Sequence, residues 1–316
     1  MIRTATTTSS GSHRPTRLVL WYGQLTTRRK LLRRGWSLVG VPAAWVVLFL
    51  LIPCILLVAL AFCRRADTRG EIVWTFTLEN FHRLLGYTSD GWSGDYLRII
   101  VRSIWIALVT TVISVLLAYP LAFFIASRKD RARYMLLGLV MVPFCTNLVI
   151  RLSAWTILFS SQFYLARFAV WVGLIGEDMP LYPSSFAVYV GMVSSFLPFA
   201  VLPIYTNVER MDWTIVEAAN DLYAGRWRTF MHAVLPQTIP GLMAAIILTF
   251  IPAMGTFIVS NILGGSKYML VGNLIEHEFL GVGDLPFGAA ISFVLIVLTI
   301  ASVFLLRRHE KAVETA

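Results

Sequence analysis

The sequence predicts an all-α integral membrane protein with six transmembrane helices and both termini on the cytoplasmic side. Three observations predict it. Of the 316 residues, 57% are hydrophobic and 14% charged, too apolar and too charge-poor for an ordinary soluble domain. Six apolar segments, at 38–62, 99–127, 134–159, 184–206, 239–263 and 286–306, are long enough to cross a hydrocarbon core roughly 30 Å thick at about 1.5 Å rise per residue. Unpaired backbone groups are costly in lipid, so these segments must be helices, and the period-2 alternation of a membrane barrel is absent. Third, the basic residues alternate from side to side along the chain.

Residues 1–37 form a basic cytoplasmic segment carrying Arg3, Arg14, Arg17, Arg28, Arg29, Lys30, Arg33 and Arg34 and no acid. Within it, 1–13 is Thr/Ser/Gly-rich and expected to be disordered, while 16–34 mixes apolar residues with arginines, as suits either a segment on the inner leaflet or a solvated tail. The first apolar run is far longer than the core of a cleavable signal peptide. The 63–97 loop that follows holds Asp67, Glu71, Glu79, Asp90 and Asp95 and is placed outside, with a short surface helix expected at Glu79–Leu85. Arg128, Lys129, Arg131 and Arg133 put the next loop inside. The 264–285 loop, with Glu276, Glu278 and Asp284 against Lys267, is outside; the 207–238 loop and the tail 307–316 are inside. Residues 38–306 are thus the membrane domain.

The net charge of +10 lies at span ends, so it reflects topology and does not indicate a nucleic-acid partner. Cys54, Cys63 and Cys145 are isolated and make neither a disulfide framework nor a metal cluster. His277 stands between Glu276 and Glu278, but three consecutive side chains do not readily converge on one ion, and a solvated loop is expected there. No P-loop is present, so this chain is expected to bind no ATP, and no Ser/His/Asp set sits at plausible depth. An integral membrane enzyme is therefore disfavoured. The absence of repeats argues mildly against a self-sufficient secondary transporter.

The polar interruption at 207–236 is the most informative stretch. Thr214-Ile-Val-Glu217 reads as a capping box, with the Thr214 hydroxyl on the Glu217 amide and the Glu217 carboxylate reaching back. Tyr223-Ala-Gly225 breaks this helix, and a second follows with Trp227, Phe230, Met231 and Val234 at amphipathic spacing. Pro236 is expected to stop it and Pro240 to start the fifth span. On these residues alone, a docking element and a merely well-capped connector are equally good readings.

The segment Glu217-Ala-Ala219, ending at Leu235-Pro236, resembles the Glu-Ala-Ala loop of membrane subunits of binding-protein-dependent ABC importers. Tyr223 occupies that family's glycine position, with Gly225 displaced by two, and Ala233 stands where the family has isoleucine. From about residue 79 onward, Leu117-Ala-Tyr-Pro-Leu-Ala-Phe123, Val142-Pro-Phe144, Val149-Ile-Arg-Leu-Ser-Ala-Trp155, Phe196-Leu-Pro-Phe199, Leu202-Pro-Ile-Tyr205, Phe250-Ile-Pro-Ala-Met-Gly255 and Leu263-Gly-Gly265 are similar to the B-type permeases of spermidine/putrescine importers. The resemblance implies a type I ABC importer permease fold in a bacterial inner membrane. It also implies an ATPase dimer that carries ATP and Mg, a second homologous permease and an external binding protein, with no cofactor on this chain. It assigns ATPase coupling to Glu217, Ala218, Ala219, Asp221, Leu222, Gly225, Leu235 and Pro236.

For a polyamine cargo, aromatic faces and polar partners in or near the spans are candidates for the pathway: Trp155, Tyr189, Phe196 and Phe257, with Asn147 and Asn261. Arg151, the clearest ionisable residue at membrane depth, would not be chosen by a cation, and a structural or gating role is favoured. Gly264 and Gly265, at the end of the fifth span, are expected to contribute to a gate. Another small solute, or ion-coupled secondary transport, remains an alternative.

Overall fold

The computed structural model describes residues 39–40, 42–66, 72–88, 91–163, 181–265 and 268–314. The basic segment 1–37 lies outside the described residues, as do Asp67, Glu71, Asp90 and Lys267. The chain divides into two compact units, one up to Leu57 and one from Val58 onward. Helix α1 (Pro42–Ala61) is the first span and contains a π turn at Val47–Leu51. Leu48, Phe49, Ile52 and Ile55 are all exposed along it, as hydrocarbon-facing side chains are.

In the second unit, two small antiparallel ladders, Arg64–Arg65 with Ile72–Val73 and Tyr87–Thr88 with Gly91–Trp92, frame the expected surface helix, α2 (Glu79–Leu84). Asn80 seats α2: its amide donates to the Ala61 and Cys63 carbonyls at 3.0 and 2.8 Å, pairing groups that the end of a helix leaves open. Helix α3 (Asp95–Ala126) is the second span.

The expected third span, 134–159, is broken. Helices α4 (Asp130–Cys145) and α5 (Leu148–Leu158) meet at 90°. Thr146 and Asn147 take extended ψ values of 150° and 132°, and the Asn147 side chain accepts from the Val149 amide at 2.8 Å, which starts a new helix. Hydropathy sees only an unbroken apolar run here, because the break is made by one polar cap.

Helix α6 (Ser185–Glu209) is the fourth span, and α7 (Trp213–Asp221) lies in the cytoplasmic loop. Helix α8 (Arg226–Gly255) departs from expectation at both ends. Neither Pro236 nor Pro240 interrupts it. A π turn at Phe230–Val234 precedes Pro236, and the Leu235 amide reaches the Phe230 carbonyl five residues back, which re-pairs the ladder where proline removes a donor. At its other end the helix stops at Gly255, where Thr256 is extended (ψ 137°), and α9 (Ile258–Gly264) starts anew. The 264–285 loop is also largely ordered, as α10 (Val271–Glu276) with a π turn at His277–Val282, before the last helix, α11 (Leu285–Glu314). The described helices make five spans, or six with the broken pair counted as one.

The core sits where α3, α6 and α8 cross. Its inner half is built from small and branched residues, Ala118, Ala122, Ala200, Ile204, Val208 and Ala245. Small residues let helix backbones approach closely, which drives packing in lipid. Gly241 marks a close approach of α8 to α6: a Cβ there would lie 2.7 Å from Asn207 Cβ and from the Pro203 carbonyl oxygen. The Tyr119 hydroxyl and Thr238 Oγ1, 2.7 Å apart, pin α3 to α8. The other half gathers Ile106, Leu152, Met192, Phe196, Phe250, Met254, Val259 and Leu263. A third cluster, Leu84, Val271, Leu274, Phe287 and Ile291, joins the surface helix to α10 and α11.

Candidate functional site

Two regions carry unusual polar or exposed chemistry, one in the cytoplasmic loop and one beyond the end of α8. In the loop, α7 is capped by Asp212, not by the Thr214–Glu217 box. The Asp212 carboxylate accepts from the Thr214 amide at 3.0 Å and from its hydroxyl at 2.7 Å. A carboxylate is a stronger acceptor than a hydroxyl and complements the helix dipole, so the helix starts two residues earlier than the box requires. The Thr214 hydrogen bonds hold the Asp212 carboxyl below its ordinary range. Glu217 is thereby released from capping and is exposed, as are Ala218, Asp221 and Leu222.

The end of α7 is a Schellman motif. The Tyr223 amide donates to the Asn220 carbonyl (2.9 Å) and the Ala224 amide to that of Ala219 (3.1 Å). This motif requires a left-handed residue, and Tyr223 supplies it with φ 55°. The chain therefore keeps the turn that glycine would make without a glycine. Gly225 is extended (φ −63°, ψ 153°) and opens α8. The Thr229 hydroxyl donates to Asn220 Oδ1 (3.3 Å), clamping the two short helices together.

Gln237 fastens this clamp to the fifth span. Its Oε1 accepts from the Asp212 amide at 2.9 Å and its Nε2 donates to the Ala233 carbonyl at 2.8 Å. Gln237 thus links the start of α7 to α8. Leu235 is half-buried beside this contact and Pro236 is exposed. The surface so held out is apolar: Leu222 is 82% exposed, Tyr223 98% and Trp227 70%, with Trp213 and Ile215 also exposed. The sequence pattern missed Asp212 and Gln237, whose roles depend on a contact across the loop; Asp212, standing just before the apolar-periodic run, was the available signal.

Beyond α8, the pair α9 and α10 forms a polar chain. Asn261 Nδ2 donates to Glu276 Oε2 at 2.8 Å; Asn273 Nδ2 donates to Asn261 Oδ1 and to the Phe257 carbonyl. Asn261 is exposed and Glu276 half-exposed, so one carboxylate and two amides stand together where the fifth span ends. Asn273 was not singled out in the sequence, and Glu276 was read only as an outer-loop acid beside His277, because 264–285 reads as a loop; the helical spacing of Val271, Leu274 and Ile275 was the missed cue. Trp155 and Tyr189 pack against the same apolar cluster that holds Val259 and Leu263 of α9. Phe196, at 8% exposure, lies inside that cluster. Asn147 and Arg151 are elsewhere, at the break of the third span, where the Arg151 guanidinium donates to the Pro143 carbonyl. Gly264 and Gly265 are fixed by sterics. A Cβ on Gly264 would meet Tyr268 Cβ at 2.8 Å, and Gly265 has φ 58° with ψ −168°, a region closed to valine.

The expectation of a solvated 276–278 segment holds for exposed His277 only. Glu278 is 4% exposed, and burial chiefly pushes its carboxyl above the usual range. Asp284, also buried, accepts from Arg83 Nη1 at 2.8 Å and from the Phe287 amide at 3.2 Å, with Arg65 3.7 Å away. This cluster ties the first outer loop to the last helix. Among the described residues no group of His, Cys, Asp or Glu is arranged to hold a metal.

Residues 118–315 match the model of the binding-protein-dependent transport system inner membrane component family. The chain belongs to that family. This permease is 37% identical over 253 residues to the spermidine/putrescine transport system permease protein PotB of Escherichia coli (strain K12), covering 80% of this chain and 89% of that one. It is 34% identical to PotB of Haemophilus influenzae over 273 residues, covering 86% and 93%. Among solved structures, a bacterial ABC transporter involved in the import of the acidic polysaccharide alginate superimposes with a TM-score of 0.65 at 16% identity, over 93% of this chain and 99% of that one. The permease therefore has the type I importer fold and is an inner-membrane protein of an ABC transport system.

Proposed function

We propose that this chain is the permease subunit of an ATP-driven polyamine importer, moving spermidine or putrescine handed to it by an external binding protein. The observation that carries the substrate class is the 37% identity to a spermidine/putrescine permease along 80% of the chain. The site chemistry supports it. Glu276 beside Asn261 suits a protonated amine, and Trp155 and Tyr189, packed against the cluster that holds Val259 and Leu263 of α9, supply aromatic faces for cation–π contact with a flexible cation. Arg151, occupied by a helix carbonyl, takes no part in binding.

ATP and Mg belong to a partner ATPase dimer, since no P-loop occurs in this sequence. The ATPases dock on the 207–236 loop, through Glu217, Ala218, Ala219, Asp221 and Leu222, with Gly225, Leu235 and Pro236 completing the clamp. A second homologous permease completes the pathway. ATP-driven closure of the ATPases moves α7, and the Asp212–Gln237 contact transmits that motion to α8 and the polar chain at its end. Differential binding of ATP to the two states shifts the permease between them, and ATP hydrolysis supplies the free energy of the cycle. The test is uptake of labelled spermidine and putrescine by cells of the native organism with and without this chain. Loss of uptake on deletion, restored by the wild-type chain and competed by unlabelled polyamine, is expected. Undiminished polyamine uptake, with loss of a different small solute, would reassign the cargo while keeping the permease.

A further inference from the structure

Tyr223 sits in a backbone conformation that is free of penalty for glycine and sterically unfavourable for any residue with a Cβ (φ 55°). Strain of this kind persists where something repays it: the two Schellman hydrogen bonds hold the backbone, but among the described residues no contact engages the side chain. The ring is 98% exposed, and among the described residues it stacks on no other ring and its hydroxyl makes no hydrogen bond. Leu222, 82% exposed, and Trp227, 70% exposed, flank it in sequence and extend the apolar surface. The Schellman hydrogen bonds fix the backbone, and the Thr229–Asn220 bond fixes the neighbouring helix, so the ring is presented on a rigid mount.

Resting on the docking reading above, we infer that Tyr223 is an anchor for the ATPase subunit, its ring filling an apolar pocket there and selecting an ATPase that has one. Tyrosine on a pre-organised turn is well suited to this, because it buries a large area while few torsions are frozen. Exposed Glu217 and Asp221 before this turn are offset by exposed Arg226 and Arg228 just after it, so charge gives the anionic inner leaflet no net hold here, and the occupant is the one that the docking reading assigns to the same surface. The inference adds a partner-selecting residue where a glycine would serve the turn alone.

The experiment uses the full-length permease in nanodiscs and the purified ATPase subunit of its own transporter. Binding is measured for the wild type, Tyr223→Gly and Tyr223→Asn, two residues that accept the left-handed turn. Amide exchange across 213–229 is followed in parallel. Slowed exchange on adding ATPase, with both variants binding at least about tenfold more weakly and unfolding at no lower temperature than the wild type, is the expected result. Slowed exchange with variant affinities within about twofold of wild type would overturn the anchor and leave the docking surface standing. Unchanged exchange across 213–229 while the wild type still binds ATPase would overturn the docking surface itself.

Discussion

Asp284 offers a quantitative check on how the outer face is held. It is 3% exposed, and it both caps the first turn of α11 through the Phe287 amide and neutralises Arg83, which also lies 3.9 Å above the Phe287 ring. Asp284→Asn keeps the shape and leaves an oxygen for the Phe287 amide, but strands the Arg83 guanidinium. Breaking a fully buried pair costs about 3–5 kcal/mol; the Arg83 side chain is 36% exposed, so water screens part of the loss and about 1–3 kcal/mol is expected. Asp284→Ala loses the cap as well and should cost about 1 kcal/mol more. Thermal unfolding of the purified permease in detergent, followed by tryptophan fluorescence, reads both. A cycle with Arg83→Met isolates the pair, because Asp284→Asn should cost little once the guanidinium is gone. If Asp284→Asn is as stable as wild type, or costs the same with and without Arg83, the pair does not hold α2 to α11.

Glu278 gives a pH prediction with a definite sign. Its folded carboxyl titrates above the unfolded value, so the folded state binds the proton more tightly, and stability falls as pH rises from the unfolded pKa through the folded one. Glu278→Gln should therefore gain stability relative to wild type at pH 8 and gain little at pH 4; the same difference at both would refute the burial cause. Because Asp212 is the cap, Glu217→Lys should leave the unfolding temperature nearly unchanged while reducing ATPase association and abolishing transport, whereas Asp212→Ala should lower the unfolding temperature by removing the cap. A thermal shift for Glu217→Lys as large as that for Asp212→Ala would return Glu217 to a structural role. Gly241→Leu should force α6 and α8 apart at a cost of about 1–3 kcal/mol, read as a lower unfolding temperature. Gly138→Leu, where a Cβ meets nothing within 4 Å, is the neutral control, and equal effects would refute the tight crossing.

The spans were legible in the sequence because hydrocarbon leaves the backbone few options. Four of the six lie within a few residues of their apolar runs, and the short helix at Glu79 was marked by its composition. What was not legible depended on local pairings. One asparagine cap and two extended residues broke the third span inside an apolar run, and a π turn carried α8 through Pro236 and Pro240. The Glu-Ala-Ala pattern picked out the loop proposed for ATPase docking. It did not show that Asp212 is the cap, nor that Gln237 ties the start of α7 to α8, since that tie closes over distance in the chain. Beyond α8, Asn261 was picked out by its polarity, while Asn273 and the helical setting of Glu276 were hidden by a stretch whose helical period is only two turns long.

In the proposed function, ATP hydrolysed on a partner drives solute through this chain. The most direct test is uptake of labelled spermidine into vesicles that contain the permease with its partner permease, ATPase and binding protein. Saturable uptake that requires ATP and is lost when the ATPase is omitted is the result expected. Uptake that persists without the ATPase and follows an ion gradient would contradict it and make the chain a secondary transporter.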